Sequence, residues 1–517
     1  ERRVAAVARP GPVTAAPGPP APRPRRVRTR NPQLPSLELL TPGSALTSDD
    51  AEIRYQAQLI EETLAHFGIP AQVVDVQRGP TVTQYGVEPG FVERRRGNGV
   101  AERRKVRVSR IVALANDLAL ALAVPSIRIE APVPGRPLVG IEVPNRKTTL
   151  VNLRTVMESD AFRRIPSHLR VALGQDVSGR AVAADLASMP HLLIAGATGS
   201  GKSVCISSLI GCLLLENTPD ELALLLIDPK RVELTGFNGV PHLVAPVVVE
   251  VEQVVRSLRW VCQEMDRRYR LFARYKVRHI DGFNASGGRR KEGRLPYMVV
   301  FVDELADLMM VSPDDVERSL CRVAQMGRAT GIHLVVATQR PSVDVVTGLI
   351  KANFPARIAF AVSTQIDSRV ILDAPGAEQL LGRGDMLFMS PDANHLVRLQ
   401  GCFVSDDELQ AIANHWRQAV EGDLEAEPGL PWAGLPEDEE DALLAQAAEL
   451  VRQHRQASTS FLQRRLRIGY SRAARLIEQL EAQGVIGPDP GGGRSRQVYS
   501  QAPAVEAGDE LEDGEEA

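Results

Sequence analysis

Residues Gly196-Ala197-Thr198-Gly199-Ser200-Gly201-Lys202-Ser203 carry the pattern G-x-x-x-x-G-K followed by Ser or Thr. They follow the apolar run 192–195 and precede 204–210, a segment suited to a helix. Strand, glycine-rich loop and helix in that order make a phosphate cradle. The glycines let successive backbone N–H groups converge on phosphate oxygens, Lys202 reaches the β and γ phosphates, and the Ser203 hydroxyl helps hold Mg²⁺. Hydrolysis asks for more than a cradle. The run 297–302 ends in Asp303-Glu304. There Asp303 orients Mg²⁺ through its waters and Glu304 polarises the attacking water as general base. Taken alone, Asp303 also suits a helix cap. The run 332–338 ends in Gln339-Arg340, which puts an amide where a γ-phosphate is sensed. The run 222–227 ends in Asp228-Pro229-Lys230, with Asp228 read as structural. ATP and Mg²⁺ are the ligands these residues predict.

Positioning such residues requires a sheet whose strand ends meet on one edge. From about 150 to 405, apolar runs alternate with helix-compatible segments, which predicts a mainly parallel sheet covered on both faces. The expected strands are 192–195, 222–227, 297–302, 332–338, 357–362 and 386–389. A long helix is expected over 250–275, and a solvent loop over the basic, glycine-rich segment 286–294. A chain of 517 residues exceeds a single core, so several domains are expected. Residues 1–47, with eight arginines and little periodicity, read as a basic Pro/Ala/Arg-rich solvated linker. Residues 48–140 read as a small α/β domain with one helix near 53–67, strands at 72–76, 81–85 and 127–129, and a second helix over 111–123. Its basic run from Arg94 to Arg107 reads as a loop or solvated face. The motor-sized unit is 141–420. Residues 421–440 form an acidic linker with eight carboxylates, 441–500 a compact basic block, and 501–517 an acidic disordered tail.

Apolar content of 44% and charged content of 24% are those of soluble globular protein, and no apolar run approaches the length of a membrane-spanning helix. The chain begins at Glu1 rather than Met, so a preceding segment is expected. The five cysteines show no C-x-x-C spacing and predict buried, reduced thiols rather than disulfides or a metal site.

The segments GATGSGKS, IDPKRVEL, VFVDELADLMM, GIHLVVATQRPSVDVVTGLIKAN, IDSRVILD and GAEQLLGRGDML resemble the motor of the FtsK/SpoIIIE family of DNA translocases. The likeness extends from about Asp49 to Ser500. It implies a RecA-like P-loop NTPase motor flanked by a small N-terminal α/β domain and a C-terminal winged-helix domain. It further implies a homo-hexameric ring on double-stranded DNA, acting in chromosome segregation and cell division with a site-specific recombinase and division proteins as partners. A cytoplasmic location is implied, tethered to the bacterial inner membrane by an upstream segment. Arg328 matches an arginine that reaches a neighbouring subunit's γ-phosphate; on sequence alone it is an exposed helix-end cation. Arg340, Lys351 and Arg369 match pore positions that grip phosphates, and Gln365 stands where the family is commonly basic. A secretion or conjugation coupling ATPase and a nucleotide-switched DNA-binding regulator are the competing readings.

In the C-terminal block, a helix over 441–456, a Ser458-capped helix over 459–466, a turn at 467–470, a third helix from Ser471 to about Gln483 and a hairpin make a winged helix. Ala473, Leu476, Ile477 and Leu480 form the third helix's inner face. Ser471, Arg475, Glu478 and Ala482 form its outer face, with Arg475 suited to guanine and Glu478 to cytosine edges. A protein-binding adaptor has the same outline. The resemblance assigns Ser471, Arg472, Arg475 and Glu478 to DNA, with Ser471 in place of the family's Asn and so less discriminating toward adenine.

Overall fold

The computed structural model describes residues 31–43, 50–95, 101–393, 395–419, 429–433, 439–466, 468, 470–488 and 496–499. Its centre is a sheet of nine strands among these residues. Leu222–Ile227, Tyr297–Val302, Ile332–Thr338, His191–Ala195 and Ala356–Phe360 lie side by side in that order and run parallel. Asp385–Met389, Leu396–Gly401, Arg170–Asp176 and Ala181–Asp185 extend the sheet antiparallel. The mainly parallel expectation therefore holds for five strands, and the run near 386–389 belongs to the antiparallel extension.

The parallel strands are mainly apolar because both of their faces are covered. Leu192, Ile194, Val299 and Phe301 point into a core capped by the helices Lys202–Glu216 and Asp406–Gln418. Their alternates Leu193, Val300, Val302, Leu334 and Val336 point the other way, under the helices Val251–Tyr275 and Pro313–Thr330. Burying a Leu, Ile, Val or Phe side chain contributes about 1.5–3 kcal/mol, so this double layer dominates the motor's stability.

The small domain is a four-stranded antiparallel sheet in the order Ala71–Arg78, Val82–Pro89, Val139–Pro144, Arg128–Glu130. The helix Asp50–His66 packs on it through Ile60 and Leu64. The single helix expected over 111–123 is two, Val108–Val112 and Ala115–Ala121, because the backbone leaves helical geometry at Leu114 (φ −91°, ψ 15°). The basic run expected as a loop or solvated face forms a hairpin, Phe91–Arg95 with Ala101–Lys105, whose Arg103, Arg104 and Lys105 are exposed and in which Arg103 lies over the Phe91 ring. The segment 286–294 likewise holds a short helix, Gly288–Glu292, anchored by Arg274 and Tyr275 on Glu292.

Both linkers are shorter than their compositions imply. Within 1–47, Leu40 is buried in the motor core and the Thr41 N–H donates to Glu408. Within 421–440, the Trp432 side chain is fully buried in the core under Val251–Tyr275. Its Nε1–H donates to Gln253 Oε1 at 2.8 Å, and its ring centroid lies 6.1 Å from that of Trp260. The next helix starts at Glu439. In each case an apolar side chain finds a groove that charge composition does not announce. Residues 1–30 of the basic linker and the tail 501–517 lie outside the described residues.

The C-terminal block has the expected helices, Glu439–His454, Thr459–Leu466 and Tyr470–Ala482. The Ser458 hydroxyl accepts the Phe461 N–H at 3.2 Å as a cap. Bridges Ile486–Val498 and Ala457–Arg496 supply the hairpin and the strand beside it. Arg467, Gly469 and residues 489–495 lie outside the described residues. All five cysteines are buried free thiols. Among the described residues, no helix is long and apolar enough to cross a membrane.

Candidate nucleotide site and nucleic-acid interface

Parallel register brings the predicted chemistry to one edge. Ala195 lies opposite Thr338, and Val302 opposite Val336, so Gly196, Asp303, Glu304 and Gln339 emerge together. The phosphate loop turns through Gly199 (φ 75°) and Gly201 (φ 114°), both in the left-handed region that glycine tolerates. A Cβ on Gly196 would meet Phe360 Cβ at 2.5 Å. Thr198 and Gly199 are exposed at the apex, while Ser200 and Lys202 are buried and Ser203 half-buried.

Lys202 folds back onto the acidic strand. Its Nζ donates to Asp303 Oδ1 at 2.6 Å and to the Asp303 carbonyl at 2.7 Å, with both side chains buried. Asp303 Oδ2 and Ser200 Oγ are buried without a hydrogen-bond partner. An orphaned carboxylate oxygen beside a backbone cradle fits a hydrated divalent cation, with Asp303 and Ser203 as the residues that would hold it.

Glu304, not Asp303, caps the helix Leu305–Val311 by accepting the Ala306 N–H at 3.4 Å; it is 1% exposed and held from three further sides. Lys230 Nζ donates to Oε2 at 2.8 Å, Thr338 Oγ1 donates to Oε1 at 2.7 Å, and the Gln339 N–H donates at 3.1 Å. Burial pushes the carboxyl up, but the bonds from Lys230, Thr338 and Gln339 outweigh it and hold it below its ordinary value. Glu304 is thus kept ionised. Gln339 in turn accepts from Thr198 Oγ1 through its Oε1 at 2.8 Å. A continuous line therefore runs from the loop's apex through Gln339 and Glu304 to Lys230. Lys230 and Thr338 are site residues that the sequence reading left unassigned. Their signal was position: Thr338 ends the strand beside the phosphate loop, and Lys230 stands just past the end of the strand paired with 297–302. Asp228 is structural, accepting the N–H groups of Lys230, Glu233 and Leu234 and so closing the turn that delivers Lys230.

Arg328 is exposed in the last turn of Pro313–Thr330, just before the strand Ile332–Thr338 begins. Its charge acts on His333, near that strand's start. Seven residues of strand span ~23 Å, so Arg328 lies at the opposite edge of the sheet from its own Glu304.

The three pore candidates divide. Lys351 Nζ bonds Asp373 Oδ1 at 2.8 Å, and Arg369 is exposed one helical turn before Asp373. Asp373 also accepts from Arg357 Nη1 at 2.6 Å. Arg340 stands elsewhere, exposed, with Nη1 3.9 Å from Met310 Sδ. On the third winged-helix helix, Arg475 and Glu478 are exposed opposite the buried Ala473, Leu476, Ile477 and Leu480. Ser471 and Arg472 lie in its first turn, and their side chains lie outside the described set.

Three family models match the chain in succession. The FtsK alpha domain matches residues 34–145, the FtsK/SpoIIIE family residues 152–343, and the FtsK gamma domain residues 438–501. The chain is 52% identical over 447 residues to the DNA translocase FtsK of Caldanaerobacter subterraneus subsp. tengcongensis, covering 86% of this chain and 60% of that one. It is 50% identical over 474 residues to the DNA translocase SftA of Bacillus subtilis, covering 91% of this chain and 48% of that one. The chain thus spans about half to three-fifths of the length of these relatives. The solved structure of the pCW3 conjugation coupling protein TcpA aligns with TM-score 0.48 at 21% identity, over 71% of this chain and 99% of that one. With three consecutive domain matches and about half of its residues shared with curated members, this chain belongs to the FtsK/SpoIIIE family.

Proposed function

We propose that the chain is the motor and DNA-reading part of a hexameric, ATP-driven double-stranded DNA translocase that moves chromosomal DNA during segregation and division. The observation that carries this reading is the line Thr198–Gln339–Glu304–Lys230 at the mouth of the phosphate loop. It links the place where a γ-phosphate sits to the general base and to the loop that carries Arg340.

The chemistry follows from the pairings. Lys202 is shared between Asp303 now and the β and γ phosphates of bound ATP. Its transfer to the phosphates leaves the buried Asp303 carboxylate in need of another cation. Magnesium, when bound, neutralises charge on the β and γ oxygens. Glu304, ionised and anchored, accepts the proton of the attacking water. Gln339 loses or keeps its Thr198 bond according to whether a γ-phosphate competes for the loop's apex, and its neighbour Arg340 is carried with it. Arg328 serves the adjacent subunit's site, because its own lies a strand's length away. Arg340, Lys351 and Arg369 contact DNA phosphates without reading sequence. Ser471, Arg472, Arg475 and Glu478 read base edges and set direction. Tethering to the inner membrane, a site-specific recombinase and division proteins belong to the same reading of the whole protein.

The test is ATP-dependent displacement of a third strand from duplex DNA. The wild-type chain is expected to displace it, and Lys202→Ala to fall to background while the duplex is still bound through residues 441–500. Wild-type ATPase without displacement would overturn translocation and favour a coupling ATPase. Displacement that persists in Lys202→Ala would overturn the site.

A further inference from the structure

The antiparallel extension of the motor sheet holds a buried ionic chain that the hydrolytic reading leaves unused. Arg398, on Leu396–Gly401, makes a bidentate bond to Asp385, Nε to Oδ1 at 3.0 Å and Nη2 to Oδ2 at 2.6 Å. Its remaining nitrogen, Nη1, donates to Glu142 Oε2 at 2.7 Å. Glu142 belongs to the central strand Val139–Pro144 of the small domain and also accepts from Arg128 Nη1 at 2.9 Å and Gln84 Nε2 at 3.2 Å. Arg398, Asp385 and Glu142 are 5%, 1% and 1% exposed. Apolar side chains of like volume would hold two domains together at least as well, so a buried ionic trio is better explained as fixing one register between them.

What that register touches is the phosphate loop. Asp385 Oδ2 also accepts the Leu381 N–H at 2.8 Å, closing a turn in which Gly382, Arg383 and Gly384 all have positive φ (76°, 52° and 94°). Arg383 is disfavoured in that conformation, so the turn depends on outside support. It receives it from Gln400 Nε2 on the Arg383 carbonyl at 2.8 Å and from the Gly401 N–H on the Gly384 carbonyl at 2.7 Å. Gly384 then donates its own N–H to the Ser200 carbonyl at 2.8 Å. A Cβ on Gly201 would meet Gly384 N at 2.5 Å, so the turn is the wall against which the phosphate loop rests.

We propose that Arg398 is a positioning residue for the nucleotide site: it ties the turn bracing Ser200 and Gly201 to Glu142 of the small domain, so that the seating of that domain sets nucleotide affinity. This rests on the reading of 196–203 as a nucleotide loop. Glu142 touches no loop residue, and its effect passes through Arg398, Asp385 and Gly384. By reciprocity, bound nucleotide stiffens the junction between the two sheets.

The experiment titrates a fluorescent ADP analogue with Mg²⁺ into the full 517-residue chain and follows thermal melting in parallel. Glu142→Gln keeps shape and removes charge, and it is expected to weaken Kd about fivefold or more. Arg398→Met is expected to do the same or worse, with Arg398→Lys in between. Tyr85→Phe removes a buried hydrogen bond of the same small sheet, to Gln56, without touching the ionic chain. It is expected to lower the melting temperature and leave Kd unchanged. Unchanged Kd in both Glu142→Gln and Arg398→Lys, or equal weakening in Tyr85→Phe, would overturn the proposal. Should Arg398→Met fail to fold, Glu142→Gln and Arg398→Lys decide. If the wild-type chain bound no analogue, or Lys202→Ala bound it equally, the nucleotide reading itself would fall, an outcome separate from these.

Discussion

The two ends of the same parallel strands solve opposite electrostatic problems. At the carboxyl ends charges are paired: Lys202 bonds Asp303, and Lys230, Thr338 and Gln339 hold Glu304. At the amino ends, groups that titrate near neutrality are kept neutral. His191 and His333 are buried with ring centroids 6.1 Å apart, and burial pushes them down to about 3 and about 4. Arg328 is exposed there, with no acceptor of its own phosphate loop within reach. One end gathers paired charges around the phosphate loop, and the other buries its histidines with Arg328 exposed nearby.

The sharpest way to break this contrast is Arg328→Ala. If the arginine completes a neighbour's site, ATPase falls by about 10³-fold or more. Mixing Arg328→Ala with Lys202→Ala then restores part of the activity, because some interfaces combine an intact Lys202 with an intact Arg328. Absence of restoration in mixed rings would place Arg328 in its own subunit's structure. Next in size is Glu304→Gln, expected to lower kcat by about 10²–10⁴-fold while nucleotide binding persists. Loss of binding alongside kcat would mean that Glu304 mainly props the loop.

The smallest effect is on stability against pH, and it separates the two ends by sign of cause. His191, His242 and His333 have folded values below the ordinary one of about 6.5. The unfolded chain therefore binds more protons between about pH 6.5 and 4. Their contribution is present above about 6.5 and is lost as pH falls toward 4, at up to about 1.4 kcal/mol per pH unit per histidine. The lowered Glu304 carboxyl acts in the same direction, but only below the ordinary carboxylate range. Denaturant melts of wild type and His333→Gln between pH 7 and 5 check the assignment. An equal pH slope in both would remove His333 from the account.

The carboxyl edge was legible because each of its parts is a local word: a glycine loop, or an apolar run ending in acids or an amide. A parallel strand buried on both faces announces itself by unbroken apolarity. Apart from 386–389, the antiparallel extension was not legible, and Arg398 shows why. In Leu396–Gly401 a guanidinium sits mid-strand and reads as solvent-facing, yet it is 5% exposed because Asp385 and Glu142 meet it from distant parts of the chain. Ala181–Asp185 is half-buried along its length, and Arg170–Asp176 is buried only over 171–174, so neither carries a long apolar run. Lys230 was overlooked for a similar reason. Its role lies in a partner 74 residues away, which pairing of strands creates and sequence spacing does not. Composition also misjudged Trp432, whose acidic neighbours hide a docked side chain.

That docked indole has a consequence for delivery of the winged helix. Counted from the end of the motor's last helix, near Ala419, the 20 residues to Glu439 could span at most ~70 Å when fully extended. Counted from Trp432, only seven residues separate it from Glu439, a fully extended distance of no more than ~25 Å. The volume within that distance scales as the cube of the reach, so the anchor lowers the upper bound on it about twentyfold. A single buried ring thus limits how far from the motor sheet the C-terminal helices can begin.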